Sequence, residues 1–476
     1  MPVQINQPLS WKTASGDNAV MLDALQANIL KGHVRDHLTL LFLKFANRAG
    51  ARNFLKKLAV APNGKPLVKS ARQHLLEVDA FKATQAAGTA YVGVGLTKSG
   101  YAALGVTSGL PTNPAFLSGM KNAQLGDPAV PTWDPHFRQQ IDAVVLIGDA
   151  SKARHDAAFT KIWSLISASA GVSELGHETG LSQINANGDG IEHFGYVDGR
   201  SQPLFLTEDI DSDRLESDGV TTWDPAFPLS RVLVSDLASP SPTKHFGSYF
   251  VFRKLEQNVQ QFKTEEEKLA KRLNLKGGDA ERAGAMIIGR FEDGTPVSMQ
   301  RTDGVHNPVP NDFDYDSDGD GGKCPFFGHI RKMNPRGSGG FEPAGPERLH
   351  IMARRGQTYG IRADNPNDGQ LSNKPKKDVG LLFMAFNADL GQQFEFVQNN
   401  WSNFAGFPKV NAGQPQPGLD LVIGQGTRPT IQCPVNWGAR KENAGDWKTT
   451  TAVPQTVTMK GGEYFFMPSI PFLATL

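Results

Sequence analysis

Residues 192–203, Glu-His-Phe-Gly-Tyr-Val-Asp-Gly-Arg-Ser-Gln-Pro, hold one acid, Asp198, between two glycines in an otherwise apolar run. Glycine supplies no packing surface and costs conformational entropy. Gly195 and Gly199 therefore make sense where backbone must approach another body closely, with Asp198 facing that body. A second cluster, 324–336, places a Phe pair before His329 and then Arg331, Lys332 and Arg336. That pattern reads as a semi-buried imidazole beside cationic groups, and neutral imidazole suits iron while guanidinium suits carboxylates. Eleven histidines compete for such a role. His306 is the rival, with a surface turn as the alternative because Asn-Pro follows it. His193 lies close enough to Asp198 in sequence to line the same cavity. Arg354 and Arg355 close an apolar run that begins near 349, a position where paired arginines are ordinarily solvated charge.

Other patterns carry less. Asp314, Asp316, Asp318, Gly319 and Asp320 imitate the front of an EF-hand loop, but its twelfth position is Pro325 rather than Glu, so a solvated acidic loop is expected. Gly93-Val94-Gly95 lacks a completed dinucleotide fingerprint and a Walker lysine, and reads as close strand packing. No CxxC, HExxH or GxSxG is present, which removes the commonest signs of zinc or serine-hydrolase chemistry. Cys324 and Cys433 are too few for a thiolate metal site, and either one disulfide or two structural thiols is open. Any iron must be held by other ligands. The balance of 49 Lys+Arg against 48 Asp+Glu argues against a general nucleic-acid or acidic-membrane binder. No apolar run approaches the roughly 18 residues of a membrane span, and residues 1–7 lack the basic and apolar regions of a signal peptide. A soluble chain is expected, with secretion after processing or a cytoplasmic location both open.

The elements that must position these groups follow two similar programmes. In the first half, apolar runs at 38–45, 91–96 and 141–147 predict strands around a helix at 51–58, and Phe159, Ile162, Trp163 and Ile166 predict a helix packed on the sheet. In the second, a strand at 248–252 and a charged helix at 260–273 precede apolar runs at 285–289, 349–353 and 379–386, and Phe394, Val397 and Trp401 return to helical spacing. At 476 residues there is room for two or three domains. The interleaving predicts an α+β protein of two related units rather than a doubly wound parallel sheet. Connections rich in Gly, Pro and Asp at 209–228 and 307–323 separate the parts, the first being the better boundary and the second a loop able to cover a ligand.

The GxxDG turn followed by Arg200, Ser201, Gln202 and Pro203, the His329-Ile330-Arg331 string and the Arg354-Arg355-Gly356 string together resemble the dye-decolorizing peroxidases. Residues 25–33, Leu-Gln-Ala-Asn-Ile-Leu-Lys-Gly-His, are similar to that family's opening segment, and the likeness is greatest to its long fungal-type branch. The resemblance implies two ferredoxin-like units with antiparallel sheets and surrounding helices: 1–215, carrying the distal turn, and 216–476, binding haem b. It implies His329 as axial iron ligand, Arg331 as propionate partner, and Asp420 as acceptor for the second imidazole nitrogen, with Glu395 the alternative. Gly199, Arg200 and Gln202 would contact the cofactor, and Leu381 and Phe383 would roof the pocket. Asp198 would shuttle the proton of hydrogen peroxide while Arg354, with Arg355 as register alternative, stabilises charge as the O–O bond breaks. Dyes, phenols or lignin-like aromatics would then be oxidised in one-electron steps, with Tyr359 and Trp401 as relay candidates whose other reading is ordinary core. A haem carrier or haem-iron extraction protein is the alternative; it would need His329 but neither Asp198 nor Arg354. Because Asp titrates near about 3.9 and His near about 6.5, an Asp base predicts turnover fastest in acid.

Overall fold

The computed structural model describes residues 2–60, 66–366 and 368–476. The strands of the first half are β1 (His37–Phe45), β2 (Tyr91–Leu96), β3 (Ala143–Asp149) and β4 (Val172–Leu181). Every residue of β2 and β3 is buried, which is why both read as continuous apolar runs rather than alternating ones. Helix Arg48–Ala59 starts where the Asn47 side chain accepts the Gly50 N–H, and it buries Ala51, Phe54, Leu55 and Leu58 at helical spacing. Helix Lys152–Ser167 buries His155, Ile162 and Ile166. Trp163, placed on that stripe by the sequence, is 40% exposed instead.

After a short hairpin of β5 (Gln183–Ile184) and β6 (Gly190–Ile191), the second half supplies β7 (Val234–Ser235), β8 (Phe246–Gln257), β9 (Ala353–Arg354), β10 (Gln357–Tyr359) and β11 (Gly380–Asn387). A two-stranded ribbon of β12 (Ile431–Pro434) and β13 (Trp447–Thr450) follows, then β14 (Val457–Met467). The main sheet runs β10-β11-β8-β14-β2-β3-β1-β4 with antiparallel neighbours, β7 adding to β8 and β9 to β11. Each half repeats one order, β2-β3-β1-β4 and β10-β11-β8-β14. That is the ferredoxin-like arrangement expected from the sequence. At the seam β14 meets β2 through one ladder pair, Phe466 with Leu96. Buried Gln26 completes the seam: its Nε2 donates to the Val94 and Pro468 carbonyls and its Oε1 accepts the Val94 N–H. At the other ends, Thr358 of β10 donates to the Leu181 carbonyl of β4, so the sheet curls back on itself.

Three expected elements differ. Of residues 285–289, the first four belong to helix Arg282–Ile288, all of whose residues are buried, and Gly289 caps it; a short apolar run buried all round has no period to separate helix from strand. Residues 349–352 precede strand rather than form it. Helix Ala344–Arg348 ends there, and only Ala353 and Arg354 pair with β11. The helical spacing of Phe394, Val397 and Trp401 falls on π-helical turns Gly391–Glu395 and Val397–Ser402. The connection at 209–228 begins inside helix Thr207–Glu216. Both cysteines are buried and free, as structural thiols.

Candidate active site

The distal turn is built by its own first residue. Glu192 accepts the N–H groups of Phe194 at 2.7 Å and Tyr196 at 3.1 Å, folding the chain back so that Val197 bridges Ile191. Burial pushes the Glu192 carboxyl up to about 7, against the pull of those donors. Gly195 and Gly199 both take positive φ, +102° and +86°, where a side chain is strained. Of the two, only Gly199 leaves room for another body. A Cβ there would point into open cavity with nothing within 4 Å, whereas one on Gly195 would face the Glu292 carboxylate at 3.3 Å.

Asp198 and Arg354 arrive already paired. Arg354 sits on β9, where Gln202 Oε1 accepts its backbone N–H at 3.0 Å, so the Ser-Gln-Pro end of the turn fixes the strand carrying the arginine. Arg354 Nη1 donates to Asp198 Oδ1 at 2.8 Å, and the Gly199 N–H donates to the same oxygen at 2.6 Å. Oδ2 has no hydrogen-bond partner among the described residues. Burial works to raise the Asp198 carboxyl, but the Arg354 guanidinium and the Gly199 N–H outweigh it and hold the group below its ordinary value.

Across the cavity, His329 opens helix His329–Met333 after Gly328. Its Nδ1 lies 2.8 Å from Asp420 Oδ2, while Asp420 Oδ1 accepts the N–H groups of Val422 and Ile423. The buried carboxylate thus fixes one tautomer and leaves Nε2 free of protein partners among the described residues. Burial alone would lower the His329 pKa; Asp420 outweighs it and holds the imidazole above its usual value.

Asp198, Gly199, Arg200, Arg354 and His329 line one cavity enclosing about 1560 Å³, mouth included, whose apolar wall contains Ile288, Met333, Leu381, Phe383, Phe394 and Val422. An imidazole nitrogen without a protein partner among the described residues, a largely apolar wall and the space left by Gly199 fit a haem. A second opening, edged by residues 30–36 and by Gln202 and Arg355, meets this cavity at Asp198, Arg354, Leu381 and Phe383. It gives a small molecule a way to the unpaired oxygen of Asp198.

Several expected placements do not hold. Arg331 is turned away from the cavity. It is 1% exposed, donates to Asp318 Oδ2 at 2.8 Å and to the Cys324 and Asp318 carbonyls, and lies over Tyr315 and Phe326, so it offers nothing to a propionate. The same contact corrects the acidic loop, because Asp318 is buried rather than solvated. His193 lies outside the cavity, fully buried between Gln183 and the Tyr359 carbonyl, where burial lowers its pKa to about 4. Glu395 accepts from the Tyr464 hydroxyl, which leaves Asp420 as the imidazole partner. Arg355 is committed to the Asn28 and Ile29 carbonyls, so the register favours Arg354. His306 edges a separate opening beside Asp198 and Arg200. Tyr359 and Trp401 are buried core aromatics, 6% and 2% exposed. Arg290, Asn334 and Ile423, which also line the cavity, carried no sequence signal. They lie in helix ends and loops whose side chains point inward only because of tertiary packing.

Comparison with known proteins bears on the fold and the family. The family model of the DyP dimeric alpha+beta barrel domain matches residues 24–182. The multifunctional dye peroxidase DyP2 of Amycolatopsis sp. is 58% identical over 479 residues, covering 100% of both chains, and its solved structure superposes with a TM-score of 0.95. Peroxidase 2 of the fungus Mycetinis scorodonius is 29% identical over 96% of this chain and 88% of its own. The solved Anabaena sp. DyP-type peroxidase is 34% identical, covers 98% of this chain and 97% of its own, and has a TM-score of 0.88. A fold of two ferredoxin-like units around an apolar cavity, with full-length identity of this order, establishes that the chain belongs to the dye-decolorizing peroxidase family of hydrogen-peroxide-dependent haem enzymes.

Proposed function

We propose that this chain oxidises dyes and phenols with hydrogen peroxide through a haem held by His329 Nε2, with Asp198 as proton shuttle and Arg354 as charge stabiliser. One observation carries the assignment: a carboxylate–arginine pair and a carboxylate-backed imidazole with a free nitrogen line one apolar cavity. Haem, when bound, supplies the iron that accepts peroxide and the capacity to hold two oxidising equivalents. Asp420 keeps the imidazole in its donor tautomer. Asp198 Oδ2, the unoccupied oxygen, takes a proton from one peroxide oxygen and delivers it to the other, which leaves as water. Arg354 keeps free donors beyond its bond to Asp198 and steadies negative charge on the departing oxygen. Leu381 and Phe383 supply the apolar wall beside that proton transfer.

A haem carrier would not require the Asp198–Arg354 pair, so the pair favours the enzyme. Relatives named for dyes, and a solved family member complexed with 2,6-dimethoxyphenol, support aromatic donors, with lignin-like phenols as an extension of the same class. The repeat of strand order supports a division into units 1–215 and 216–476. Matches along nearly the full length to both a bacterial and a fungal relative support a long-chain branch, although the fungal label gains nothing from the 58% identical bacterial protein. The test is titration of the apo-protein with haemin, followed by peroxide-dependent phenol oxidation. A Soret band in the unmutated protein that changes its ligation signature in His329→Ala is expected. No band, or identical ligation in the variant, overturns the assignment.

A further inference from the structure

One buried cation has no part in the proton transfer. Lys332 is 0% exposed, and no carboxylate among the described residues is in contact with it. Its Nζ donates instead to three backbone carbonyls, those of Phe404 at 3.2 Å, Gly418 at 2.7 Å and Phe407. An ammonium has three donors and no acceptor, so the set is complete. Burial pushes the Lys332 pKa down to about 7 against the pull of Asp420, and below that value all three donors are present.

The three carbonyls belong to the two legs of one loop. Residues 404 and 407 lead out of the π-helical turn Val397–Ser402, and Gly418 brings the chain back two residues before Asp420. The legs are also joined to each other, by the Gly418 N–H to the Ala405 carbonyl and the Asp420 N–H to the Ser402 carbonyl. Lys332 stands three residues after His329 in helix His329–Met333, a spacing that puts the two side chains on one side. One ammonium thus ties the helix that carries the imidazole to the loop that carries its carboxylate. The 2.8 Å bond from His329 Nδ1 to Asp420 Oδ2 spans the same gap.

Burying a charge among neutral partners is costly. We propose that Lys332 is a positioning residue for the His329–Asp420 pair: by drawing both legs of the loop onto the helix, it sets the length of that bond and so how strongly Nε2 donates. The inference rests on His329 as the iron ligand. The charge of Lys332 acts in the other direction, because a cation near Asp420 weakens it as an acceptor. Removal of the charge alone would strengthen the bond to His329, whereas removal of the tie loosens it.

The test reads the iron–imidazole stretching frequency of the haemin-loaded, reduced protein by resonance Raman spectroscopy in mild acid. The unmutated chain is compared with Lys332→Met, Asp420→Asn and the double variant. Lys332→Met lowers the frequency part of the way to the Asp420→Asn value, and the double variant matches Asp420→Asn, because the effect of Lys332 passes through that carboxylate. In the apo-proteins, Lys332→Met speeds amide exchange at Gly418, Asp420, Val422 and Ile423 by about tenfold or more, the size expected for a hydrogen bond to a charged group. An unchanged or raised frequency in Lys332→Met overturns the proposal, as does unchanged exchange or a double variant shifted beyond Asp420→Asn. The unmutated apo-protein supplies a check that needs no variant. Its Lys332 N–H, bonded to the Gly328 carbonyl, and its Asp420 N–H open as one unit and share one protection factor. Protection at Asp420 weaker by more than about tenfold overturns the tie. No iron–imidazole band in the unmutated protein removes the ligand assignment and this inference with it, whereas a band indifferent to Lys332 removes this inference alone.

Discussion

Replacing Asp198 by Asn isolates the proton shuttle from the architecture that holds it. Oδ1 already accepts from Arg354 Nη1 at 2.8 Å and from the Gly199 N–H at 2.6 Å. In Asp198→Asn the amide oxygen takes over both bonds, and the NH2 group falls where Oδ2 now offers a lone pair. Geometry is kept while an acceptor becomes a donor. The Asp198 and Arg354 side chains are 36% and 31% exposed, and ion pairs of that exposure contribute only about 0–1 kcal/mol, so folding is little affected. The reaction with peroxide loses the general-base contribution, about 10²- to 10⁴-fold, or about 3–5 kcal/mol of barrier. The assay is the second-order rate constant for peroxide, followed at the Soret band by stopped flow across acidic to neutral pH. Because Arg354 and the Gly199 N–H depress the carboxyl, Asp198 stays a base above its lowered pKa. The rate of the unmutated enzyme is then flat through mild acid and falls only below the ordinary carboxylate range of about 3.9. Stability follows the same sign: the contribution of Asp198 is present above the unfolded-state pKa and is lost as pH falls through the folded one. A variant with an intact Soret band that reacts within about threefold of the unmutated enzyme at every pH refutes the shuttle, since threefold is far below a general-base effect.

Further outcomes follow from neighbouring contacts. Asp420→Asn presents an amide to His329 Nδ1 and disturbs the tautomer, with haemin retention or turnover falling about 10- to 100-fold in absorbance titration and steady-state assays. Glu395→Gln, by contrast, touches only Tyr464 and leaves the Soret spectrum unchanged. Arg331→Leu leaves Asp318 buried without its cation and destabilises the fold by about 3–5 kcal/mol in denaturant titration, while the folded fraction keeps its haemin affinity. Gly199→Ala forces a side chain to φ +86° inside the cavity, costing about 1–2 kcal/mol in strain and weakening haemin binding, measured by melting temperature and Soret titration.

Much of the scaffold was readable because it rests on long one-dimensional signals. β1, β2, β3 and helix Val259–Leu273 coincide with apolar runs or a charged helix whose pattern survives in any tertiary setting. The residues of the distal turn and the His329 motif were legible through local chemistry, glycines at positive φ and an imidazole beside a Phe pair. What failed depends on direction in space. Arg331 is two residues from His329, but in the helix His329–Met333 that spacing sends the two side chains to different sides, one to the cavity and one to Asp318. The same blindness hid Arg290, which follows a helix-ending glycine and gives no sign in sequence of which wall it faces. Asp420 was found and Glu395 set second, a choice that only the hydrogen bonds decide.

The seam between the two halves sets an order of events in time. β14 lies between β8 and β2, yet it is the last strand of the sequence, and Gln26, near its start, spans from Val94 to the Pro468 carbonyl just beyond that strand. During synthesis the first ferredoxin-like unit is complete long before β14 exists, so β2 waits with an edge guarded only in part by a single glutamine amide, and β8 waits beside it. Val457, at the start of β14, is also part of the cavity wall. A nascent chain therefore owns Asp198, His329 and Arg354 before it owns a closed pocket. The cavity that would receive the cofactor is therefore closed only after β14 has been made and laid against β8, however early its functional side chains were in place.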